Sequence, residues 1–350
     1  MDKSDQKHRV IIGYWLLSVC AMIFVMILIG GLTRLTHSGL SMTEWKPLTG
    51  WIPPLTDTAW LEIFQNYQAT PEYQKLNVGM TVDEFKSIFW LEFIHRVWGR
   101  LIGLAVILPL GFFALKRWLD RSLAINFIAL FILGGLQGVL GWYMVQSGLV
   151  DHPDVSPYRL TAHLGLALLV YGYALWLALN LLNLPHSEFP ELNQRGGTIA
   201  LLVLITVTIL SGGFVAGNNA GLTYNTFPLM DGRLVPAGLF ELSPVYVNFF
   251  ENVTAVQFNH RMLAISTVIV VLLYWVCRRS YMTTARSRGI LDGLALGVLF
   301  QAVLGISTLL LAVPLILAIL HQATAIVVFS LAIWLIHNGK PRKRFGSAQA

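Results

Sequence analysis

"EFIHRVWGRLIGLAVILPLGFFAL" occupies residues 92–115 and combines an apolar run with a charged start. From Leu101 onward the segment is almost entirely apolar, and roughly 20 such residues span the ~30 Å hydrocarbon core of a bilayer. A glutamate, a histidine and two arginines stand at its start. Ionisable groups near lipid cost on the order of a few kcal/mol each, so charges in this place indicate a functional site at the mouth of a membrane helix.

The composition shows that this helix is one of many. The chain has 350 residues, of which 55% are hydrophobic and 12% charged, and its mean hydropathy is +0.64. No ordinary soluble domain has this balance. We therefore predict an all-α integral membrane protein with eight transmembrane helices, the first of which is a retained span and not a cleaved signal. The apolar stretches lie near 11–32, 93–115, 124–145, 159–182, 198–216, 255–277, 289–312 and 314–336.

The formal net charge of +6 is explained by membrane topology. Basic residues concentrate before the first span, in the connections that follow the second, fourth and sixth spans, and after the eighth, whereas the connection 33–91 is net acidic. The positive-inside rule then places both termini in the cytoplasm, and the cell inner membrane is the expected location of this multi-pass protein. The basic balance indicates no nucleic-acid surface, and the expected surroundings are membrane lipid.

An internal repeat divides the chain into two four-helix halves. "GGLTRLTHSGLS" at 30–41 aligns without gaps on "GGFVAGNNAGLT" at 212–223, and "LQGVLGW" at 136–142 resembles "FQAVLGI" at 300–306. An even number of spans starts both halves on the same side, as in parallel-repeat transporters. We predict two tandem parallel four-helix bundles, with an N-terminal half at 1–182, a linker at 183–197 and a C-terminal half at 198–350.

Four of the nine histidines are related by this repeat. His95 corresponds to His260 and His163 corresponds to His321, and all four are predicted near the outer ends of their helices. Zinc usually takes additional ligands, whereas heme iron takes two axial histidines between apolar helices. We therefore predict one heme per half. His37 and His152 have no counterpart in the repeat, and we assign them no role.

The residues beside these histidines differ in one respect. Glu92 precedes His95 by three residues, whereas Gln257 stands at the same distance before His260. Residues i and i+3 share a helix face, and a carboxylate can act as a general base where an amide cannot. Chemistry is thus expected in the first half, the alternative being that Glu92 only belongs to the polar end of its helix. Arg96 and Arg261 are candidates to pair with heme propionates, or alternatively to reach lipid headgroups.

The chain resembles the heme A synthase family, through "GGLTRLTHSGLSM" at 30–42, the Glu92-x-x-His95-Arg96 motif, "TAHLGLAL" at 161–168, "FNHR" at 258–261 and "LHQATA" at 320–325. The resemblance implies oxidation of the C8 methyl of heme O to a formyl group by successive hydroxylations, for terminal-oxidase biogenesis. It implies that His260 and His321 are the axial ligands of a heme b cofactor, with Arg261 beside it. His95 and His163 would hold the substrate heme O with Arg96, and Glu92 would assist the chemistry as base, nucleophile or positioning group.

The resemblance also bears on subtype and partners. Some family members carry cysteine pairs in outer loops, whereas Cys20 and Cys277 of this chain fall within predicted spans, so it resembles the proteobacterial and mitochondrial type. Contact with heme O synthase, the protoheme farnesyltransferase, is implied, and the electron acceptor is unidentified. Two other readings remain: a bis-histidine b-type cytochrome that carries electrons in the membrane, and a transporter with a Glu/His proton relay.

Overall fold

The computed structural model describes residues 3–46, 49–149, 153–182, 193–282 and 284–339. They form ten α-helices and three short 3-10 helices. The α-helices are α1 Lys3–Leu35, α2 Asp57–Gln68, α3 Pro71–Lys75, α4 Val82–Leu115, α5 Arg121–Gln146, α6 Pro157–Leu181, α7 Asn193–Gly217, α8 Val253–Arg278, α9 Ala285–Leu310 and α10 Leu315–Asn338. The 3-10 helices cover Ala220–Leu222, Val245–Phe249 and Arg279–Tyr281.

The prediction of eight membrane helices is confirmed. Eight of these helices, all except α2 and α3, are long and apolar enough to cross a membrane. The predicted linker ends earlier than expected, because α7 already begins at Asn193, and residues 183–192 lie outside the described part. At 1.5 Å per residue the 34-residue α4 is about 51 Å long. Its first turns therefore extend beyond the hydrocarbon core and contribute to an outer cap.

Helix contacts within each half of the chain close a ring. In the first half, α1 contacts α4 and α6, and α5 contacts both α4 and α6. In the second half, α7 contacts α8 and α10, and α9 contacts both α8 and α10. The two sets meet where α1 and α6 pack against α10 and where α6 packs against α7. The largest apolar cluster lies along this junction and includes Ile23, Leu168, Leu201 and Ile326.

An aromatic cap covers the outer part of α4. Helix α2 buries Trp60, Phe64 and Tyr67 against Phe85 and Phe89 of α4. The start of α4 is fixed by a capping box, in which Thr81 accepts from the Glu84 backbone N–H and the Glu84 side chain accepts from the Thr81 backbone N–H. Since this box is the one that the "TVDE" stretch at 81–84 encodes, local sequence sets where α4 begins.

Candidate functional site

The four repeat-related histidines form two pairs, one in each ring of helices. His95 on α4 and His163 on α6 are close enough for a charge on one ring to affect the other, and the same holds for His260 on α8 and His321 on α10. All four side chains are half-buried. In each ring, the structure thus brings together the two histidines that the sequence predicts to share a site.

Each imidazole lies against a glycine on a neighbouring helix. A Cβ added at Gly141 would lie 3.0 Å from the ring of His163, at the limit of real Cβ contacts. A Cβ added at Gly305 would lie 2.8 Å from the ring of His321, closer than real Cβ contacts allow. Gly30 and Gly212 face His95 and His260 with more room, at 3.8 and 3.2 Å. The absence of a side chain at these glycines therefore makes space for imidazole rings between the helices.

Two glutamines support the second histidine of each pair. The Nε2 of Gln137 lies 3.3 Å from Nε2 of His163, and the Nε2 of Gln301 lies 3.4 Å from Nε2 of His321. Since an amide N–H only donates, Nε2 of each histidine is the acceptor and Nδ1 carries the proton; both Nδ1 atoms are buried without a hydrogen-bond partner in the described structure. The Oε1 atoms of both glutamines are buried without a hydrogen-bond partner in the described structure.

The protonation of His260 is set by Ser211. The Ser211 hydroxyl donates to the Thr208 carbonyl at 2.7 Å and lies 2.8 Å from Nδ1 of His260. Because the single hydroxyl proton is used on Thr208, Nδ1 of His260 is the donor to Ser211, and Nε2 is left free as an acceptor. Ile29 occupies the corresponding place in the first half, and within the described residues His95 makes no hydrogen bond. The first-half imidazole is therefore less constrained than the second-half one.

Glu92 is 2% exposed and binds the loop that follows α1. One carboxylate oxygen accepts from the Ser41 hydroxyl at 2.7 Å and from the Met42 backbone N–H at 2.8 Å. The other accepts from Arg96 at 2.5 Å. The carboxylate therefore ties the first outer loop to α4, a structural role that the sequence analysis considered only as a polar helix end.

Gln257 and Arg261 repeat this arrangement in the second half with the opposite polarity at one position. The Gln257 amide donates to the carbonyl of Ala220 at 2.8 Å, and its Oε1 accepts from Arg261 at 3.3 Å. Where Glu92 accepts from a backbone N–H of the loop, Gln257 thus donates a side-chain N–H to a backbone carbonyl of the loop. The change from glutamate to glutamine is therefore matched by a change in the outer loop, which presents a backbone N–H to Glu92 and a backbone carbonyl to Gln257.

The two arginines hold loop carbonyls at equivalent positions of the repeat. Arg96 donates to Met42 O at 2.8 Å and Glu44 O at 2.7 Å. Arg261 donates to the carbonyls of Tyr224 and Thr226 at 2.7 and 2.8 Å. The side chain of Arg96 is 11% exposed and Arg261 is 8% exposed, so both guanidinium groups are mostly taken up by the loop, which counts against the alternative that they reach lipid headgroups. Pairing with propionates stays a prediction.

The donor set fits heme better than a protein-only metal centre. Among the described residues, no cluster of three or more histidine, cysteine, aspartate or glutamate side chains could hold a metal ion. Two imidazoles, buried glutamine oxygens without partners and glycines that make room beside the rings suit a flat macrocycle whose iron takes two axial ligands. The residues present therefore fit a heme in each ring of helices.

Residues 13–333 match the COX15-CtaA family, described as cytochrome oxidase assembly protein. The chain belongs to this family. It is 49% identical over 342 residues to the "Heme A synthase" of Nitrosospira multiformis, with 96% of both chains covered. It is 48% identical to the "Heme A synthase" of Parvibaculum lavamentivorans, covering 97% of this chain and 96% of the relative. The "Heme A synthase" of Nitrosomonas eutropha is 46% identical, with 95% of each chain covered.

The outer face of this COX15-CtaA family member holds a second group of polar residues, which connects the halves. Arg34 at the end of α1 donates to Asp154 at 3.1 Å, to the carbonyl of Gly217 at 3.2 Å and to Asn219. His37 lies 3.9 Å from the same aspartate, and burial together with nearby Arg34 lowers the pKa of His37. His152 lies outside the described residues.

A buried carboxyl lies in the outer cap. Glu72 on α3 is 2% exposed and accepts from the Tyr67 hydroxyl at 3.0 Å. Burial raises the pKa of Glu72 to about 7, and the negative charges of Glu92 and Asp154 add to the effect. Burial likewise raises the pKa of Tyr67.

Sequence reasoning missed several residues that contact the histidines. Gln137 and Gln301, with Gly141 and Gly305, occupy matching places in "LQGVLGW" and "FQAVLGI", so the repeat contained the signal. Ser211 has no polar counterpart in the first half. Because α7 also carries Thr198, Thr206 and Thr208, the hydroxyl of Ser211 alone did not mark it.

Proposed function

We propose that this protein is a heme A synthase, an oxidoreductase that converts the C8 methyl of heme O into the formyl group of heme A for terminal-oxidase biogenesis. The observation that carries the proposal is the asymmetry between two otherwise equivalent histidine pairs: a carboxylate accompanies only the His95–His163 pair. Membership of the COX15-CtaA family and near full-length similarity to three heme A synthases support it.

The second half is proposed to hold heme b, with His260 and His321 as axial ligands. Bound there, heme b supplies one-electron redox chemistry. Ser211 keeps Nδ1 of His260 protonated and the ring oriented, and Gln301 approaches His321. A hydrogen bond at the ring nitrogen away from the metal fixes the orientation of a ligating histidine; the Ser211 bond to Nδ1 of His260 is of this kind, whereas Gln301 contacts Nε2 of His321. Arg261 secures the outer loop over this site and is proposed to lie beside the heme propionates.

The first half is proposed to bind the substrate heme O between His95 and His163, with Arg96 near its propionates. His95 is less constrained than His260, as suits a site whose ligand must enter and leave. Glu92 is proposed to accept a proton during methyl oxidation. Because Arg96 and two loop donors hold its carboxylate, the position of the first outer loop and the position of the Glu92 carboxylate are coupled.

The architecture and setting of this reaction are also proposed. Two tandem four-helix bundles at 1–182 and 198–350, supported by the two rings of helix contacts, place the sites side by side. The excess of basic residues in alternate connections supports an inner-membrane protein with both termini in the cytoplasm. Since the farnesyl tail of heme O partitions into lipid, contact with the protoheme farnesyltransferase would transfer substrate within the bilayer.

Pigment analysis tests the proposal. The chain is expressed in cells that make heme O but no heme A of their own, and extracted hemes are separated and weighed. Heme A is expected with the full chain and is expected to be absent with the empty vector. Heme b on the purified protein with heme O unchanged would contradict the enzyme and favour an electron-carrying b-type cytochrome.

A further inference from the structure

A groove on the outside of the second ring of helices lies next to the proposed heme b ligand His260. It has a volume of about 550 Å³ between α7 and α8, within the roughly 300–1,000 Å³ typical of small-molecule sites. Its walls are mostly apolar, and the 3-10 helix Val245–Phe249 and its neighbour Phe250 close the outer end. The apolar lining consists of Val207, Leu210, Phe214, Phe249, Phe250, Val256, Met262 and Leu263.

Three polar side chains interrupt this apolar wall: Ser211, Asn259 and Ser266. Within the described residues neither the Asn259 amide nor the Ser266 hydroxyl makes a hydrogen bond. A polar side chain within a membrane helix normally finds a protein partner or marks a functional site. Asn259 and Ser266 lie on one face of α8, two turns or about 10 Å apart, so they can contact one elongated molecule.

The polar residues belong to the second half alone. By the repeat, Ser211 replaces Ile29, Asn259 replaces Ile94 and Ser266 replaces Leu101. Every polar member of the groove therefore stands where the first half has an aliphatic residue. General requirements of membrane helices apply equally to both halves and do not explain this difference.

The groove touches the proposed electron-carrying site through one residue. Ser211 lines the groove and also binds Nδ1 of His260 at 2.8 Å. A molecule in the groove thus lies one side chain away from an axial ligand of heme b. The first half has no equivalent connection, because Ile29 cannot form this hydrogen bond.

We propose that this groove binds a quinone, which serves as the electron acceptor of the reaction. This inference rests on the proposed function. Oxidation of a methyl to a formyl group follows R–CH3 + H2O → R–CHO + 4 H+ + 4 e−, and two quinones taking up those protons and electrons become two quinols. A quinone has carbonyl oxygens for the Asn259 amide and Ser266 hydroxyl and an apolar tail for the aromatic and aliphatic walls. Phospholipid esters share this chemistry but carry no electrons, and the experiment below separates the two.

The test uses the purified full-length holoprotein and decylubiquinone. Heme b is reduced chemically, and its reoxidation by the quinone is followed by absorbance, while quinone and phospholipid retained by the protein are quantified by mass analysis. The variant Asn259→Ile/Ser266→Leu gives the groove the first-half residues. This variant is expected to keep heme b, because in the first half an isoleucine already stands next to His95. It is expected to retain less quinone and to need about tenfold more quinone for the same reoxidation rate.

Thr206→Val provides the control, since it removes a hydroxyl from the neighbouring helix α7 at a position that does not line the groove; wild-type behaviour is expected. Equal quinone dependence in the wild type and the groove variant would overturn the proposal, as would phospholipid retained at the groove in place of quinone. Heme A formation with ferricyanide as acceptor distinguishes the two proposals. If it proceeds while the quinone result is negative, the groove proposal alone fails, whereas no heme A with any acceptor contradicts the proposed function itself.

Discussion

Gln322 of α10 donates from Nε2 to the backbone carbonyl of Ile27 in α1 at 3.0 Å, across 295 positions of sequence. Its side chain fills the space beside Gly31, where an added Cβ would overlap the amide. Gln322 follows the proposed heme b ligand His321, and Gly31 follows Gly30, which faces His95. One side chain thus joins the backbone segments that carry both sites.

Gly31→Ala is expected to destabilise the junction of the halves. The new methyl displaces Gln322 and breaks its bond to Ile27, and overpacking of this kind costs about 1–3 kcal/mol. Thermal unfolding of the detergent-solubilised protein measures the effect. Gln322→Ala should partly rescue Gly31→Ala, so that the double variant is more stable than the sum of the singles predicts. Gly30→Ala is the neighbouring control, since its Cβ would sit 3.8 Å from His95; strictly additive effects would show that the two residues are not coupled.

Glu92→Gln is expected to lower heme A output about a hundredfold, the usual scale of a lost general base, with heme b retained and heme O or a hydroxylated intermediate accumulating. Extracted hemes are measured by chromatography and mass. Ser41→Ala is the matched control because it removes a loop bond to the same carboxylate and leaves the carboxylate in place. Similar losses in both variants would mean that Glu92 acts only as a tether of the loop.

Gly305→Ala and Gly141→Ala separate the roles of the two histidine pairs. The first places a methyl 2.8 Å from His321 and the second 3.0 Å from His163. At an overpacking cost of about 1–3 kcal/mol, Gly305→Ala should weaken heme b retention roughly tenfold. Gly141→Ala should leave the heme b absorbance unchanged and reduce heme O binding. Loss of heme b in Gly141→Ala and loss of heme O binding in Gly305→Ala would instead assign heme b to the first half and heme O to the second.

Glu72→Gln is expected to flatten the pH dependence of stability. The folded protein holds the Glu72 pKa at about 7, above its ordinary 4.5, so folding favours the protonated carboxyl. Its contribution is fully present below about pH 4.5 and is lost as the pH rises through 7. The groups around this carboxyl are Tyr67, Glu92, Asp154 and Arg34.

Unfolding at pH 5 and pH 8 measures this effect. Between pH 5 and pH 8, the free energy of unfolding of the wild type should fall by on the order of 1–3 kcal/mol more than that of Glu72→Gln. Glu62→Gln removes an exposed carboxyl from α2 and should behave as the wild type. Parallel pH profiles for the wild type and Glu72→Gln would refute the assigned protonation of Glu72.

Much of the fold was predictable because membrane helices obey local rules. Apolar length predicts all eight spans, and the Thr81–Glu84 capping box, typical of the start of a short helix ahead of the second span, instead begins the spanning helix α4 itself. The repeat predicts which histidines correspond, since duplicated segments keep their order. Contacts between helices and loops were harder to predict from the sequence. Nothing in the residues around Arg96 or Arg261 indicates that their guanidinium groups donate to backbone carbonyls of a loop.

The sequence by itself determined the helix count, the duplication, the four histidines and the Glu92/Gln257 difference, because each follows from composition, periodicity or register along one segment. Only the tertiary structure decided what these side chains contact. It binds Glu92 to the Ser41 loop, orients His260 through Ser211, forms a mostly apolar groove beside that histidine and places Gln322 against Gly31. These contacts join residues far apart in the chain, and they depend on how helices pack, which no single segment encodes.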